Sequence, residues 1–352
     1  METRRSALTL SLVLACLVLL AGGGTAATLD APITVTSGGL CICHAPLYVG
    51  IAKGIFAKDG VNLRVLRVAS GFEGLAALQT GSAQVADAVP AVAAQAIAQG
   101  IDVKAVLPAN GDATGTVPTD NYFAVIARPG RGIRSDHLED LKGKTIGLPV
   151  GTVAHQYLFY AAQAKNLDPQ KDFRLQNVSP ADLPSALQSG SVDAIVSWEP
   201  IPLQALSMMK DAVVVARGGN HIQYLFFRWM SSRYVATNPG TTKRFVAAFA
   251  ESAQYTREHP DEAADIVAKE FNGLDRGVIR QSLRYLTFDM RVSRATMDAA
   301  QQGLDFASKI GALKQTPSLN SMLDLRYLNQ VVKEDPKIFS DLPAIPRALV
   351  LP

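Results

Sequence analysis

From Ile33 onward, short apolar runs alternate with segments of helical pattern, and this alternation limits the folds open to the chain. The runs 33–37, 61–69, 83–89 and 103–109 are strand-like, and segments 45–60, 72–81 and 91–100 between them have helical spacing with glycine stops. Strands separated by helices of this length build βαβ units on a mainly parallel sheet. The pattern restarts at 121–129 and runs through strands at 144–151, 173–179, 192–198, 212–217 and 224–232. Helices are predicted at 137–143, 152–167, 180–190 and 201–209 in this second round. Beyond Thr241 the chain turns helical, with predicted helices at 241–259, 260–271, 275–286, 294–310 and 318–333. The 352 residues, 48% hydrophobic and 18% charged, suffice for two α/β lobes with substantial cores.

The N-terminus reads as an export signal. Arg4 and Arg5 precede an apolar stretch at 7–21, followed by small residues around Ala26 and Ala27, where cleavage is expected. The stretch is short for a spanning helix. The arginine pair leaves twin-arginine export open beside the general route, and "VLAC" ending at Cys16 resembles a lipid-attachment box. The 34 basic and 31 acidic side chains are spread without blocks, which argues against nucleic acid as a partner.

In open α/β sheets, ligands sit beyond the carboxyl ends of strands, at helix N-termini. The loop "TSGGLCICHAP" holds Gly39, Cys41 and His44 at such a place. Ser70 and Gly71 follow the second strand and Asp87 the third; Asp87 offers a carboxylate to a cationic group or caps a turn. In "VGTVAH", Thr152 is a cap, and the N–H groups of Thr152, Val153 and Ala154 form a candidate anion site. Trp198 is either cleft wall or core. Glu199 repels a plain anion, so it is turned away or selects a ligand with a donor. Arg228, inside an apolar strand, needs a partner if buried.

Cys41 and Cys43 are the only cysteines after the signal segment, and in an exported protein a pair invites a disulfide. In an extended segment their Cα atoms would lie roughly 6.5–7 Å apart, at the limit of what a bridge spans. Cys41, Cys43 and His44 are also candidate soft-metal ligands, but His44 would point away from the cysteines in a strand, and no second cluster completes a tetrahedral set. The third reading is polarisable lining of a pocket.

The order of "APLYVGIAKGIFAKDGVNLRVLRVASGFEGLAALQTGSAQVADAVPA", then "LEDLKGKTIGLPVGTVAHQYL" and "LPSALQSGSVDAIVSWEPIPLQA", resembles periplasmic solute-binding proteins of ABC importers. The subgroup is that for sulfonates, taurine, nitrate and thiamine-pyrimidine precursors. The resemblance implies a type II two-lobed α/β fold with two hinge crossings and a ligand cleft. It places the first lobe at 27–125 and 226–352 and the second at 126–225. It implies a monomer that delivers a small, sulfonate-like or zwitterionic solute to a permease and its ATPase, with no cofactor, metal or catalytic residue. An aryl-sulfinate desulfinase resembles the 36–50 segment, its catalytic cysteine at the offset of Cys41 before Gly54. That enzyme needs an arginine where this chain has Asp87. A cysteine-dependent enzyme and a Cys/His metal carrier are therefore the alternatives.

Overall fold

The computed structural model describes residues 32–271 and 274–351. The expected export signal at 1–26, its cleavage site and Cys16 lie outside them. The strands are β1 (Ile33–Gly38), β2 (Leu63–Val68), β3 (Ala86–Ala88), β4 (Val103–Pro108), β5 (Phe123–Ala127), β6 (Thr145–Leu148), β7 (Arg174–Asn177), β8 (Ala194–Trp198), β9 (Val213–Arg217) and β10 (Phe227–Ser231). β1 pairs in parallel with β2, and a bridge from Val35 to Val85 carries β1 onto the approach to β3. β10 lies between β3 and β4, antiparallel to both. The first lobe thus has the spatial order β2-β1-β3-β10-β4.

The second sheet repeats the arrangement as β7-β6-β8-β5-β9, with β5 the antiparallel member. In each lobe the antiparallel strand is the one that has just crossed from the other. β5 follows β4, and β10 follows β9. The two crossings, 109–122 and 218–226, are laced together by side chains. Buried Asp120 accepts from the backbone N–H groups of Asn220, His221 and Ile222 at 3.1, 2.6 and 3.3 Å. Asn110 donates to the Tyr224 carbonyl and accepts from the Phe226 N–H.

Three predicted elements differ. The expected helix at 45–60 breaks at Gly54, whose φ of 68° is left-handed, giving helices Ala45–Ala52 and Ile55–Lys58. The expected helix at 318–333 splits into Leu319–Met322 and Arg326–Glu334, because the Asp324 N–H bonds the Ala105 carbonyl and Leu323 bridges the β4 edge. Residues 224–226, expected in a strand, belong to the second crossing, and Ser231 caps a short helix, Ser232–Thr237, that was not predicted.

The helix Pro239–Glu258 returns over the first lobe and packs its Phe245 and Phe249 rings on Phe56, 5.8 and 6.3 Å between centroids. At Gly50 the approach is so close that a Cβ would overlap the Ser252 hydroxyl and the Phe56 ring. The Ala45–Ala52 helix is thereby pinned against the core, and with it the loop that precedes it.

Candidate functional site

The loop after β1 turns at Gly39 (φ 60°) and then coils into a 3₁₀ turn, Ile42–His44, instead of running extended. A 3₁₀ turn rises about 2 Å per residue against about 3.3 Å in a strand. The Cα atoms of Cys41 and Cys43 therefore come to 5.1 Å, and the two sulfurs form a disulfide. The extended geometry expected from sequence is corrected by this turn, and the bridge it left marginal is made. The three donor groups of Cys41, Cys43 and His44 lie within 4.8 Å of one another.

His44 is wholly buried, and burial is the main cause that holds its pKa below the ordinary imidazole value. Arg228 Nη2 stands 3.4 Å from His44 Nδ1 and can only donate, so Nδ1 accepts. The ring proton therefore sits on Nε2, which donates to the Gly38 carbonyl at 3.2 Å.

Arg228 and Asp87 face each other directly across the β10–β3 pair. The Arg228 side chain is fully buried between the rings of Phe226 and Phe249, 5.4 and 4.9 Å from its guanidinium carbon. Its Nη1 lies 3.8 Å from Asp87 Oδ1, an ion pair too long for a hydrogen bond. Burial lowers the Arg228 pKa and the Asp87 charge opposes that. Asp87, 8% exposed, has a 3.3 Å bond from Thr36 Oγ1, and His44 Nε2 at 3.6 Å from Oδ2.

At the second lobe, Thr152 caps the helix Val153–Gln163. Two of the three N–H groups expected to be open there are engaged: Thr152 N–H bonds the Pro149 carbonyl and Ala154 N–H the Thr152 hydroxyl. Of the three, Val153 N–H is the one left. Ser70 is likewise a cap, accepting from Glu73 N–H, while the Glu73 carboxylate accepts from Ala69 N–H.

Trp198 Nε1 donates to the Leu40 carbonyl at 2.9 Å, joining the end of β8 to the loop after β1. Glu199 is wholly buried beside Arg217, Oε1 to Nη1 2.7 Å, a contact outside the angle of a directed hydrogen bond. Its Oε2 accepts from Leu203 N–H at the start of the helix Ile201–Met208. Burial raises its pKa, against the pull of Arg217. Glu199 is neither turned to solvent nor set toward a ligand; it is half of an internal ion pair.

A cavity of ≈ 140 Å³ brings part of the candidate set together. Cys41, His44, Gly71, Asp87, Thr152, Val153 and Trp198 line it, whereas Gly39, Ser70, Ala154, Glu199 and Arg228 do not. Sequence reasoning missed Tyr224, Phe226, Val89 and Val92 in its wall and Tyr122 behind it. Tyr122 donates to the Glu199 carbonyl at 2.7 Å and reaches Cys41 Sγ at 3.2 Å; burial pushes its hydroxyl well above the ordinary phenol value. These aromatics fall in the two crossings, and only the restart of the strand pattern near 121 hinted at them.

In the disulfide form neither sulfur is a thiolate, and a thiolate is what nucleophilic attack and soft-metal binding both need. His44 has both ring nitrogens engaged. What the site offers as it stands is non-covalent recognition between apolar walls.

A relative from Bacillus subtilis (strain 168), described as a putative aliphatic sulfonates-binding protein, is 27% identical over 305 residues, covering 82% of this chain and 86% of its own. The periplasmic aliphatic sulphonate binding protein SsuA from Escherichia coli superposes with a TM-score of 0.71 at 20% identity, covering 83% of this chain and 92% of its own. A structure of a cysteine-to-serine DSZB variant with biphenyl-2-sulfinic acid gives 0.66 at 16% identity over 86% and 100%. These structures share the periplasmic binding protein fold. The family model described as NMT1/THI5 like matches residues 42–263, and the chain belongs to that family.

Proposed function

We propose that the protein is the exported substrate-binding component of an ABC importer, holding a small organic solute in a cleft between its lobes. The observation that carries this reading is the joint ownership of the cavity wall: Cys41, His44 and Asp87 come from the first lobe, Thr152 and Trp198 from the second. We take the residues before the 109–122 crossing and after the 218–226 crossing as one lobe and those between the crossings as the other, with the crossings as hinges; the boundary expected at 125/126 falls inside β5 and moves to its start. A solute that touches both walls stabilises the closed arrangement, and the closed pair of lobes is the surface a permease and its ATPase recognise. The reading includes cleavage near Ala26, a monomer, and Val153 N–H, Gly71 and the Trp198 face as solute contacts. Among the described residues no helix is long and apolar enough to cross a membrane.

The test is a thermal-shift and calorimetric screen of the chain lacking residues 1–26 against sulfonates, carboxylates, amines and heteroaromatic compounds. One class that raises the melting temperature saturably, without turnover, supports the reading. No binding by any organic solute, or product formation that Cys41→Ser abolishes, overturns it.

A further inference from the structure

We infer that the cleft selects a compact organic cation, a protonated amine or amidinium on an apolar or flat body, with Asp87 as the group that reads the charge. The inference rests on the binding-protein reading and names its solute class.

Asp87 is the one acidic side chain in the wall of the cavity. No lysine or arginine lines it. Arg228 is fully buried and does not line the wall, and burial disfavours a charge on His44. Arg217 is committed to Glu199, and Arg67 to Glu270 at 2.8 Å. An anion entering this cavity meets a carboxylate whose nearest cation, Arg228, sits 3.8 Å away behind the wall, and only the first-turn N–H groups of Gly71 and Val153 are placed to donate to it.

Asp87 is also poorly satisfied where it stands. A buried carboxylate accepts about four hydrogen bonds, and charge-assisted ones run about 2.7–2.9 Å. Asp87 has the 3.3 Å contact from Thr36, with Arg228 and His44 held off at 3.8 and 3.6 Å. The cross-strand pairing fixes the Arg228 backbone opposite Asp87, while the guanidinium is drawn between the Phe226 and Phe249 rings. A ligand N–H reaching Oδ2 from the cavity supplies the missing short bond. The remaining wall suits the rest of such a molecule. Trp198, oriented by its bond to Leu40, with Tyr224 and Phe226, presents aromatic surface that favours apolar or cationic groups over sulfonate oxygens.

The experiment pairs matched compounds on the wild-type chain lacking residues 1–26: benzylamine and benzamidine against phenylmethanesulfonate, and propylamine against propanesulfonate, by calorimetry and thermal shift. The amine or amidine of at least one pair is expected to bind at least tenfold more tightly than its sulfonate partner. Asp87→Asn is expected to lower that affinity at least tenfold, with circular dichroism confirming the fold. Should that variant not fold, the wild-type pairs decide alone. Tighter binding of the sulfonates, or amine affinity unchanged in folded Asp87→Asn, overturns the inference while leaving the importer reading standing. Binding of neither class, nor of any solute in the wider screen, sinks the importer reading and this inference with it.

Discussion

The rings of Tyr122 and Tyr224, one from each crossing, stack 5.1 Å apart and 12° from parallel, and both hydroxyls reach Cys41 Sγ, at 3.2 and 3.7 Å. The stack ties the two connections to each other and to the loop that lines the cavity. Tyr122→Phe keeps the ring and deletes the hydroxyl that the buried Glu199 carbonyl accepts from. Leaving that carbonyl unpaired is expected to cost about 1–2 kcal/mol. Urea denaturation checks it, and an unchanged midpoint would show that the bond is replaced on relaxation.

Glu199 and Arg217 form a largely buried pair, so removing the cation strands a carboxylate. Arg217→Met is expected to destabilise by about 3 kcal/mol at pH 8. Burial already raises the Glu199 pKa above 4.5, and loss of Arg217 raises it further. The cost is paid by the ionised form, so the deficit should shrink as pH falls from 8 to 5 and the carboxyl takes up a proton. The contacts of Arg217 with the Asn121 carbonyl and the Tyr285 ring are lost at every pH and set a constant remainder. Paired denaturation curves at both pH values separate the two parts.

His44 carries the opposite sign. Its folded pKa lies below 6.5, chiefly through burial, with Arg228 adding to the effect and Asp87 opposing it. As pH drops through 6.5 the unfolded chain binds a proton that the folded protein refuses, so stability falls between pH 7 and pH 5. His155, whose pKa burial also lowers, acts in the same direction. His44→Gln should therefore flatten the pH slope in this window without abolishing it, whatever its effect on stability at pH 7. Identical slopes in variant and wild type would refute the assignment.

The Cys41–Cys43 bridge closes a loop of three residues, for which chain entropy gives about 1.5 kcal/mol, against about 3 kcal/mol for a fifteen-residue loop. The double variant Cys41→Ser/Cys43→Ser is expected to fold with a correspondingly small loss. The unmodified chain lacking residues 1–26 should show no thiol reactive toward Ellman's reagent until a reductant is added, and two afterwards.

Much of the fold was legible in the sequence because strand and helix periodicities differ and the glycine stops fall where helices end: Gly81 and Gly190 are both left-handed caps. Pairing partners were not legible. Nothing local in "YLFFRWM" says that 227–231 enters the first sheet in the reverse direction, because that depends on where β3 and β4 leave a gap. The same limit applies to the site. Asp87, Thr152 and Trp198 stand at strand ends, which the pattern marks, and they reach one cavity. Glu199 stands at a strand end too, yet Arg217, eighteen residues on, draws it inward, and only the three-dimensional path brings that partner close. The disulfide reads as marginal from sequence because an extended segment is expected where the backbone coils.

Because β10 fills the space between β3 and β4, which do not pair with each other, the first sheet stays in two pieces until residue 231 is available. All five strands of the second sheet precede that point in the chain. The order of completion is therefore the reverse of the order of synthesis: the lobe that begins later closes first, and the lobe that begins the chain waits for it. A fragment ending before Phe227 should contain one finished sheet and one open to foreign strands, so an interrupted or nicked chain is exposed to aggregation at its N-terminal half.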